Sequence, residues 1–331
     1  MPLLPFKLNE AGRRHIPRQK HKVTNWPAYD ASLRQRGSLT VWFTDEAIAA
    51  WTAEPRTTRG GQPWYSALAI LTALTLRAVF RLAYRQTEGL IGSVIRLLGL
   101  DLPVPDHTTL SRRAATLEVP WPRSGNTEAG RDAEPAHLLV DSTGLKLCGP
   151  GEWLLEKHGT RTRRSWKKLH IGLDADTGQI VASALTGREA DDGAQVGPLL
   201  DQVAGPVASV TGDGAYDQDR VYASVAERHP EAAVIVPPCA TAVPSKTAET
   251  APTQRDRHLQ LIAERGRMAW QQASGYTTRA RAETAVGRWK RVMGDRLRAH
   301  TNERRMTEVD VAVHVLNRML ELGRPNYVRI A

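Results

Sequence analysis

The sequence predicts an all-helical N-terminal part followed by an α/β part built on a mixed sheet. Aromatic residues make up only 6% of the 331 positions while Leu and Ala are abundant, so helix should outweigh sheet. Before residue 100, long apolar stretches follow helical spacing or are apolar all round; beyond residue 134 they give way to short apolar runs bounded by Gly, Asp and Pro. Between the two lies Trp121–Glu134, polar and carrying Pro122, Gly125 and Gly130, which reads as the linker. A chain this long buries a full core and suits more than one domain. The expected division is a basic arm at 1–41, a helical domain at 42–120, the linker at 121–134, a sheet domain at 135–300, and a C-terminal helix and tail at 301–331.

Lys7, Arg13, Arg14, Arg18, Lys20 and Lys22 face a single Glu10 before residue 23, and Pro2, Pro5 and Pro17 discourage helix. That pattern predicts an extended arm, ordered against a partner or simply solvated. Thr44 is placed to cap a short helix over Asp45–Trp51. Trp64–Leu82 is apolar on nearly all sides and reads as a buried central helix. Gln86–Leu98 follows, with Leu90, Val94, Ile95 and Leu98 at helical spacing. Pro103 and Pro105 break the chain, and Asp106 can cap a third helix, His107–Leu117, with Thr108, Thr109, Ser111, Arg112 and Arg113 near its start. Such a trio resembles a helix-turn-helix unit, with Arg112 and Arg113 as candidate DNA contacts. Any three-helix bundle needs the same apolar pattern.

Ala136–Leu147 reads as a strand and is followed by a basic loop, Lys157–Lys168, with Arg161, Arg163, Arg164, Lys167 and Lys168. Strands Leu169–Asp174 and Gln179–Leu185 are joined by Asp174-Ala175-Asp176-Thr177-Gly178, a hairpin signal. A helix over Asp191–Val203, a strand over Val207–Thr211, a helix near Gln218–Ala226 and a strand over Ala232–Pro237 complete the series. The order β-β-β-α-β-α-β is that of a ribonuclease-H-like mixed sheet. Cys239–Arg255 is polar with Pro244 and Pro252, a loop. Helices then cover Leu259–Gln271, Thr278–Leu297 and Glu308–Leu322, the last stopped by Gly323-Arg324-Pro325.

A net charge of +10 suits a polyanionic partner. Cys148 and Cys239 are too few for a disulfide framework or a cysteine-ligated zinc site. No apolar run reaches a membrane span, since Ala67–Val79 is interrupted by Arg77 and followed by Arg81. The first residues lack the apolar segment of a secretory signal, so a cytoplasmic, nucleoid-associated location is the expectation. A glycine-rich phosphate loop followed by Lys-Ser or Lys-Thr is absent, so no nucleotide cofactor is expected.

Three acids stand out. Asp141 sits in the middle of an apolar strand, where a carboxylate is costly unless a cation or hydrogen bonds offset its desolvation. A turn-capping role competes, because Ser142-Thr143-Gly144 also reads as loop. Asp213 follows a predicted strand and is flanked by Gly212 and Gly214, which let the backbone turn closely around it. If the two strands are neighbours, both carboxylates open into one crevice. Tyr276, Arg279, Glu283 and Lys290 fall within about 60° of one another on a continuous helix at about 100° per residue. Glu283 could equally be the ion-pair partner of Arg279. Three hard oxygen donors suit Mg²⁺, with Mn²⁺ able to substitute. Two such ions about 4 Å apart could activate a water or 3′-hydroxyl and stabilise the leaving oxygen of a phosphodiester. Arg281, Arg288, Arg291 and the basic loop would hold the phosphate backbone. Trp289, or Trp166 beside the loop, could stack on a displaced base or simply pack.

Tyr276-x2-Arg279-x3-Glu283-x6-Lys290 resembles the signature around the catalytic glutamate of DDE-type bacterial insertion-sequence transposases. The similar group is the large one that includes the insertion-sequence-five relatives. Asn25-Trp26-x2-Tyr29, Arg85-Gln86-Thr87-Glu88-Gly89 and Leu102-Pro103-x-Pro105-Asp106-His107-Thr108-Thr109 resemble its N-terminal part. With Val140-Asp141-Ser142-Thr143-Gly144-Leu145 and Gly212-Asp213-Gly214-Ala215-Tyr216-Asp217, the likeness spans about residues 20–325. It implies Asp141, Asp213 and Glu283 as a metal-holding catalytic triad on a ribonuclease-H-like fold, with Tyr276, Arg279 and Lys290 positioning DNA or the glutamate. It also implies cleavage at element ends, joining of the freed 3′-hydroxyl to target DNA, recognition of terminal inverted repeats, and a homodimer on paired ends. A non-catalytic DNA-binding protein of the same architecture and a metal-dependent endonuclease are the alternatives.

Overall fold

Residues 20–57, 59–120, 134–147 and 166–330 are described by the computed structural model. One unit holds the described residues up to Ser38 together with those from Glu321 onward; Leu39–Leu320 form the other. In the first unit, strand β1 (Lys20–Val23) and helix α1 (Trp26–Gln35) replace the extended arm expected there. β1 pairs antiparallel with a strand at Tyr327–Ile330, and the Arg36 guanidinium donates to the Gly323 carbonyl at 2.7 Å. The more basic residues 1–19 lie outside the described residues.

The second unit begins with short helices α2 (Leu39–Trp42) and α3 (Asp45–Ala49). Thr44 caps α3 as expected, its hydroxyl accepting from the Ala47 N–H at 3.3 Å. Helix α4 (Ala67–Val79) is capped by Ser66 and buried continuously from Ala69 to Leu76, which accounts for its lack of a polar face. Helices α5 (Tyr84–Leu97) and α6 (His107–Arg113) pack against it, the second capped by Asp106 through the Thr108 and Thr109 N–H groups. α6 is shorter than expected and ends at Arg113. The Trp51 indole and Tyr65 hydroxyl donate to the carbonyls of Pro103 and Val104, pinning the proline segment that separates α5 from α6. No single described helix is long and apolar enough to cross a membrane.

The sheet domain starts at β2 (Ala136–Leu147) and continues with β3 (Trp166–Asp174) and β4 (Ile180–Gly187) as an antiparallel meander. β3 begins three residues earlier than expected, so Lys167 and Lys168 belong to a strand rather than a loop. A short helix α7 (Val196–Leu200) leads to β5 (Val207–Thr211), and α8 (Asp219–Arg228) leads to β6 (Ala233–Ile235). The sheet order is β4-β3-β2-β5-β6, with β5 parallel to both β2 and β6. That arrangement is the ribonuclease-H-like mixed sheet expected from the element order.

Beyond β6, helix α9 (Gln254–Ala273) bends at Gly266, and α10 (Ala280–Val292) is preceded by a 3-10 turn over Tyr276–Arg279. Strand β7 (Arg296–Leu297) pairs parallel with the end of β2, and α11 (Asn302–Glu321) precedes the last strand, β8 (Tyr327–Ile330). Leu138, Val140 and Val210 face α7 and α8 on one side of the sheet. Leu139, Ile171 and Leu173 face Ala282, Ala285 and Trp289 of α10 and Val309, Val313 and Leu316 of α11 on the other. α11 therefore belongs to the sheet's own core rather than to a separate tail. It reaches the helical core as well, through Val311, Val315 and Met319. Its Asn317 amide closes two hydrogen bonds with the backbone of Ile180, at 2.9 and 2.8 Å. Arg81, in a left-handed conformation (φ 54°), donates to the carbonyls of Arg291 and Val292. These are orphan acceptors at the C-terminal end of α10, so one arginine from the helical region fixes that end of the helix.

Candidate active site

Strand alternation sets the first acid. Leu139 lies in the α10-facing core, so Asp141, two residues on, points to the same side. In the parallel register Leu139 pairs with Thr211, and extending both chains by two residues brings Asp213 level with Asp141. Asp213 caps the 3-10 turn Gly214–Tyr216, accepting from the Ala215 N–H at 2.9 Å. Gly212 is required by close approach: a Cβ there would stand 2.8 Å from the Tyr216 ring. Glu283 projects from the first turn of α10.

Two of the three carboxylates meet on one cation, and the third, Asp141, feels that cation only through its charge. Arg279 Nη1 lies 2.5 Å from Glu283 Oε1, and Nη2 lies 3.4 Å from Asp213 Oδ2. Burial pushes the Asp141 carboxyl above its ordinary range, and repulsion from Asp213 and Glu283 adds to the rise. The Ser142 N–H, donating to Asp141 Oδ1 at 2.9 Å, and the Arg279 charge act in the opposite direction.

Tyr276 does not lie on a continuous α-helical stripe with Glu283, because Tyr276–Arg279 form a 3-10 turn before the α-helix begins at Ala280. Its ring packs on Trp270 at 5.3 Å, and burial together with Asp213 and Glu283 raises its hydroxyl pKa against the pull of Arg279. Lys290 is exposed two turns beyond Glu283. The Tyr216 hydroxyl is buried without a partner, and burial followed by the charges of Asp192, Asp141 and Asp213 raises its pKa steeply. On the opposite sheet face, His170 is fully buried, with Nδ1 3.3 Å from Asp192 and Nε2 2.8 Å from the Thr186 hydroxyl. Desolvation outweighs the Asp192 charge and holds this histidine down at about 4, so it is neutral at physiological pH.

Several sequence candidates have other occupations. Trp289 is 4% exposed inside the sheet core, which removes it as a base-stacking residue. Lys168 donates to the Ala190 carbonyl at 2.9 Å and pairs with Asp192 at 3.3 Å. Arg113 donates to the Tyr65 carbonyl at 3.1 Å, and Arg281 to that of Ala175. Arg291 is exposed, while Arg288 is half-buried. Arg112 is exposed on α6. Arg161, Arg163 and Arg164 lie outside the described residues. Lys167 lines a cavity of about 350 Å³ with Gly144, Trp166, Lys168 and Arg188. Arg188 is the lining residue that the sequence does not single out.

Three carboxylates with no sulfur or imidazole suit Mg²⁺ or Mn²⁺ by donor chemistry. Among the described residues no three His, Cys, Asp or Glu stand at metal-ligand spacing, and it is Arg279 that spans the acids. The residue types are those that bind a hard divalent ion, while their spacing, with Arg279 bridging two of them, is not that of a formed metal site.

Residues 34–150 match one family profile described as "Transposase DDE domain", and residues 132–318 match a second with the same description. The chain belongs to the DDE transposase-domain family. Among solved structures, it is similar to the piggyBac transposase synaptic complex with hairpin DNA at 11% identity and TM-score 0.39, covering 92% of this chain and 78% of that one. It is also similar to the Drosophila P element transposase strand transfer complex, at 15% identity and TM-score 0.31, covering 62% and 47%. A third likeness is the Mos1 strand transfer complex, at 12% identity and TM-score 0.21, covering 81% and 82%. Likenesses of this size fix neither chemistry nor partners.

Proposed function

We propose that the protein is an active DNA transposase, cutting phosphodiesters at the ends of a mobile element and joining the freed 3′-hydroxyl to target DNA. The observation that carries it is Arg279 bridging Glu283 and Asp213, with the parallel register of β2 and β5 bringing Asp141 level with Asp213. An ion pair between Arg279 and Glu283 alone would need no third acid, and no costly desolvated Asp141.

Asp141, Asp213 and Glu283 would hold Mg²⁺ or Mn²⁺. Two ions held there would activate a water or 3′-hydroxyl and stabilise charge on the leaving oxygen. The Ser142 and Ala215 N–H groups each fix one oxygen of Asp141 and Asp213, leaving the other for a cation. Tyr276, braced on Trp270, and the helix α10 held by Arg81 keep Arg279 and Glu283 in place. Lys290 on α10, and Lys167 with Arg188 beside the 350 Å³ cavity, are among the cations that would meet phosphate. No covalent protein nucleophile enters: the Tyr216 hydroxyl, buried and with a raised pKa, is a poor one. Duplex DNA bearing terminal inverted repeats is the proposed substrate, with two copies of the chain acting on paired ends.

A non-catalytic DNA-binding protein is a second reading, favoured by the occupation of two of the acids by Arg279. Incubation of a labelled duplex carrying the flanking element end with Mg²⁺ or Mn²⁺ separates them. Nicking at the element boundary by wild type, and none by Glu283→Gln, supports the transposase. Tight binding without nicking in either metal supports the alternative.

A further inference from the structure

Away from the acids lies a cleft of about 630 Å³ walled by three helices of the second unit. Tyr84 and Arg85 open α5, Thr108, Ser111 and Arg112 lie on α6, and Arg304 sits in the first turn of α11. None of its lining residues is acidic. Three guanidinium groups around one cleft repel one another unless an anion joins them.

The nearby carboxylates are already committed. Asp106 accepts from the N–H groups and hydroxyls of Thr108 and Thr109. Glu88 accepts from the His107 N–H and stands 2.9 Å from its Nδ1. Glu308 accepts from the N–H groups of Arg298 and Ala299. Among the described residues, no carboxylate forms an ion pair with Arg85, Arg112 or Arg304. Glu303, next to Arg304 in the chain, comes only within Coulombic reach of it. Arg304 Nε is buried and has no hydrogen-bond partner. Guanidinium forks match phosphate oxygens two at a time, and Ser111 adds a hydroxyl donor. One small anion would occupy one fork; three forks on three helices suit successive phosphates of a strand.

We propose that this cleft holds the phosphodiester backbone of duplex DNA, through charge and without reading bases. The proposal rests on the DNA-transposase reading and adds to it the place where the helical region grips a strand.

The test is fluorescence anisotropy of a labelled mixed-sequence duplex with the full-length protein, between about 50 and about 200 mM salt. The variants are Arg85→Gln/Arg112→Gln and, separately, Arg304→Gln. Arg85 and Arg112 are exposed, so the double variant should keep the fold, which circular dichroism checks. Arg304→Lys, retaining the charge, covers the case in which Arg304→Gln disturbs α11. Roughly tenfold weaker binding per arginine at about 0.1 M salt is expected, with the salt slope shallower by about 1 for each. The loss should be equal for unrelated duplex sequences. An unchanged slope in the folded double variant would overturn the proposal, as would a loss confined to one sequence. So would loss of inorganic phosphate binding, measured by calorimetry, with duplex binding intact; the cleft would then be a small-anion site. If wild type binds no duplex at all, the transposase reading falls with the cleft. If it binds and the variants match it, only the cleft assignment falls.

Discussion

Arg279 Nη1 lies 2.5 Å from Glu283 Oε1, one turn along from it, while the same guanidinium reaches Asp213. Glu283's side chain is 62% exposed, so this pair adds at most about 1 kcal/mol to stability. Its consequence is electrostatic: a built-in cation bridges two of the acids and acts on the third, Asp141, through its charge. Removing that cation leaves the acids with one more uncompensated charge. Arg279→Gln should therefore bind Mn²⁺ roughly tenfold more tightly without DNA, while its melting temperature barely moves. Titration followed by electron paramagnetic resonance reads this directly. Unchanged or weaker Mn²⁺ binding would show that Arg279 does not compete for the site.

Separation of binding from chemistry is expected at the acids. Asp141→Asn and Glu283→Gln should lose end cleavage to background yet bind duplex DNA as well as wild type, since phosphate contacts come from other residues. Cleavage and anisotropy measured on the same preparations check this. Equal loss of both in a folded protein would move the acids out of the catalytic role.

A second acid, unconnected with the site, should govern pH dependence. Burial alone pushes the Asp310 carboxyl on α11 up to about 6. A carboxyl whose folded pKa exceeds its unfolded one keeps its proton in the folded state after the unfolded chain has ionised. Stability is therefore lost as pH rises from about 4 to about 6, and stays lost above. Asp310→Asn should raise unfolding free energy by about 2–3 kcal/mol near neutral pH and by nothing at about pH 4. Urea denaturation at the two pH values tests it; an equal gain at both would point to repacking instead of charge.

Trp289 offers a test of packing against recognition. With Ala282 and Ala285 it forms the stripe of α10 that covers the sheet, and truncating it to Ala should cost about 3–5 kcal/mol. Trp289→Phe should retain most of that stability and leave DNA binding unchanged. Normal thermal stability with selectively weakened DNA binding in the phenylalanine variant would restore a base-stacking role.

The legible part of the molecule was what local pattern encodes. The short apolar run around Asp141, the hairpin at Asp174–Gly178 and the glycines around Asp213 each carry their own structural reason, so the order of elements, and with it the mixed sheet, is readable. The inward orientation of Trp289 was readable too, since residues 282, 285 and 289 share one helical stripe. Long-range partners were not readable. Lys168 looked like a free loop cation because nothing local announces Asp192 across the strand end. Arg279 owes its position to Gly275 and a 3-10 turn, which a continuous helical wheel overlooks. Arg304 meets Arg85 and Arg112 only because α11 packs on both the sheet and the helical core.

Strand transfer in vitro tests the central claim most directly. Purified protein would be incubated with Mg²⁺ or Mn²⁺, a labelled duplex bearing the flanking element end, and a supercoiled target, with Asp213→Asn alongside. Labelled end joined to target by wild type, and none by the variant, is the expected result. Joining that survives in the Asp213→Asn protein, or end binding in both metals with neither cutting nor joining, would contradict it.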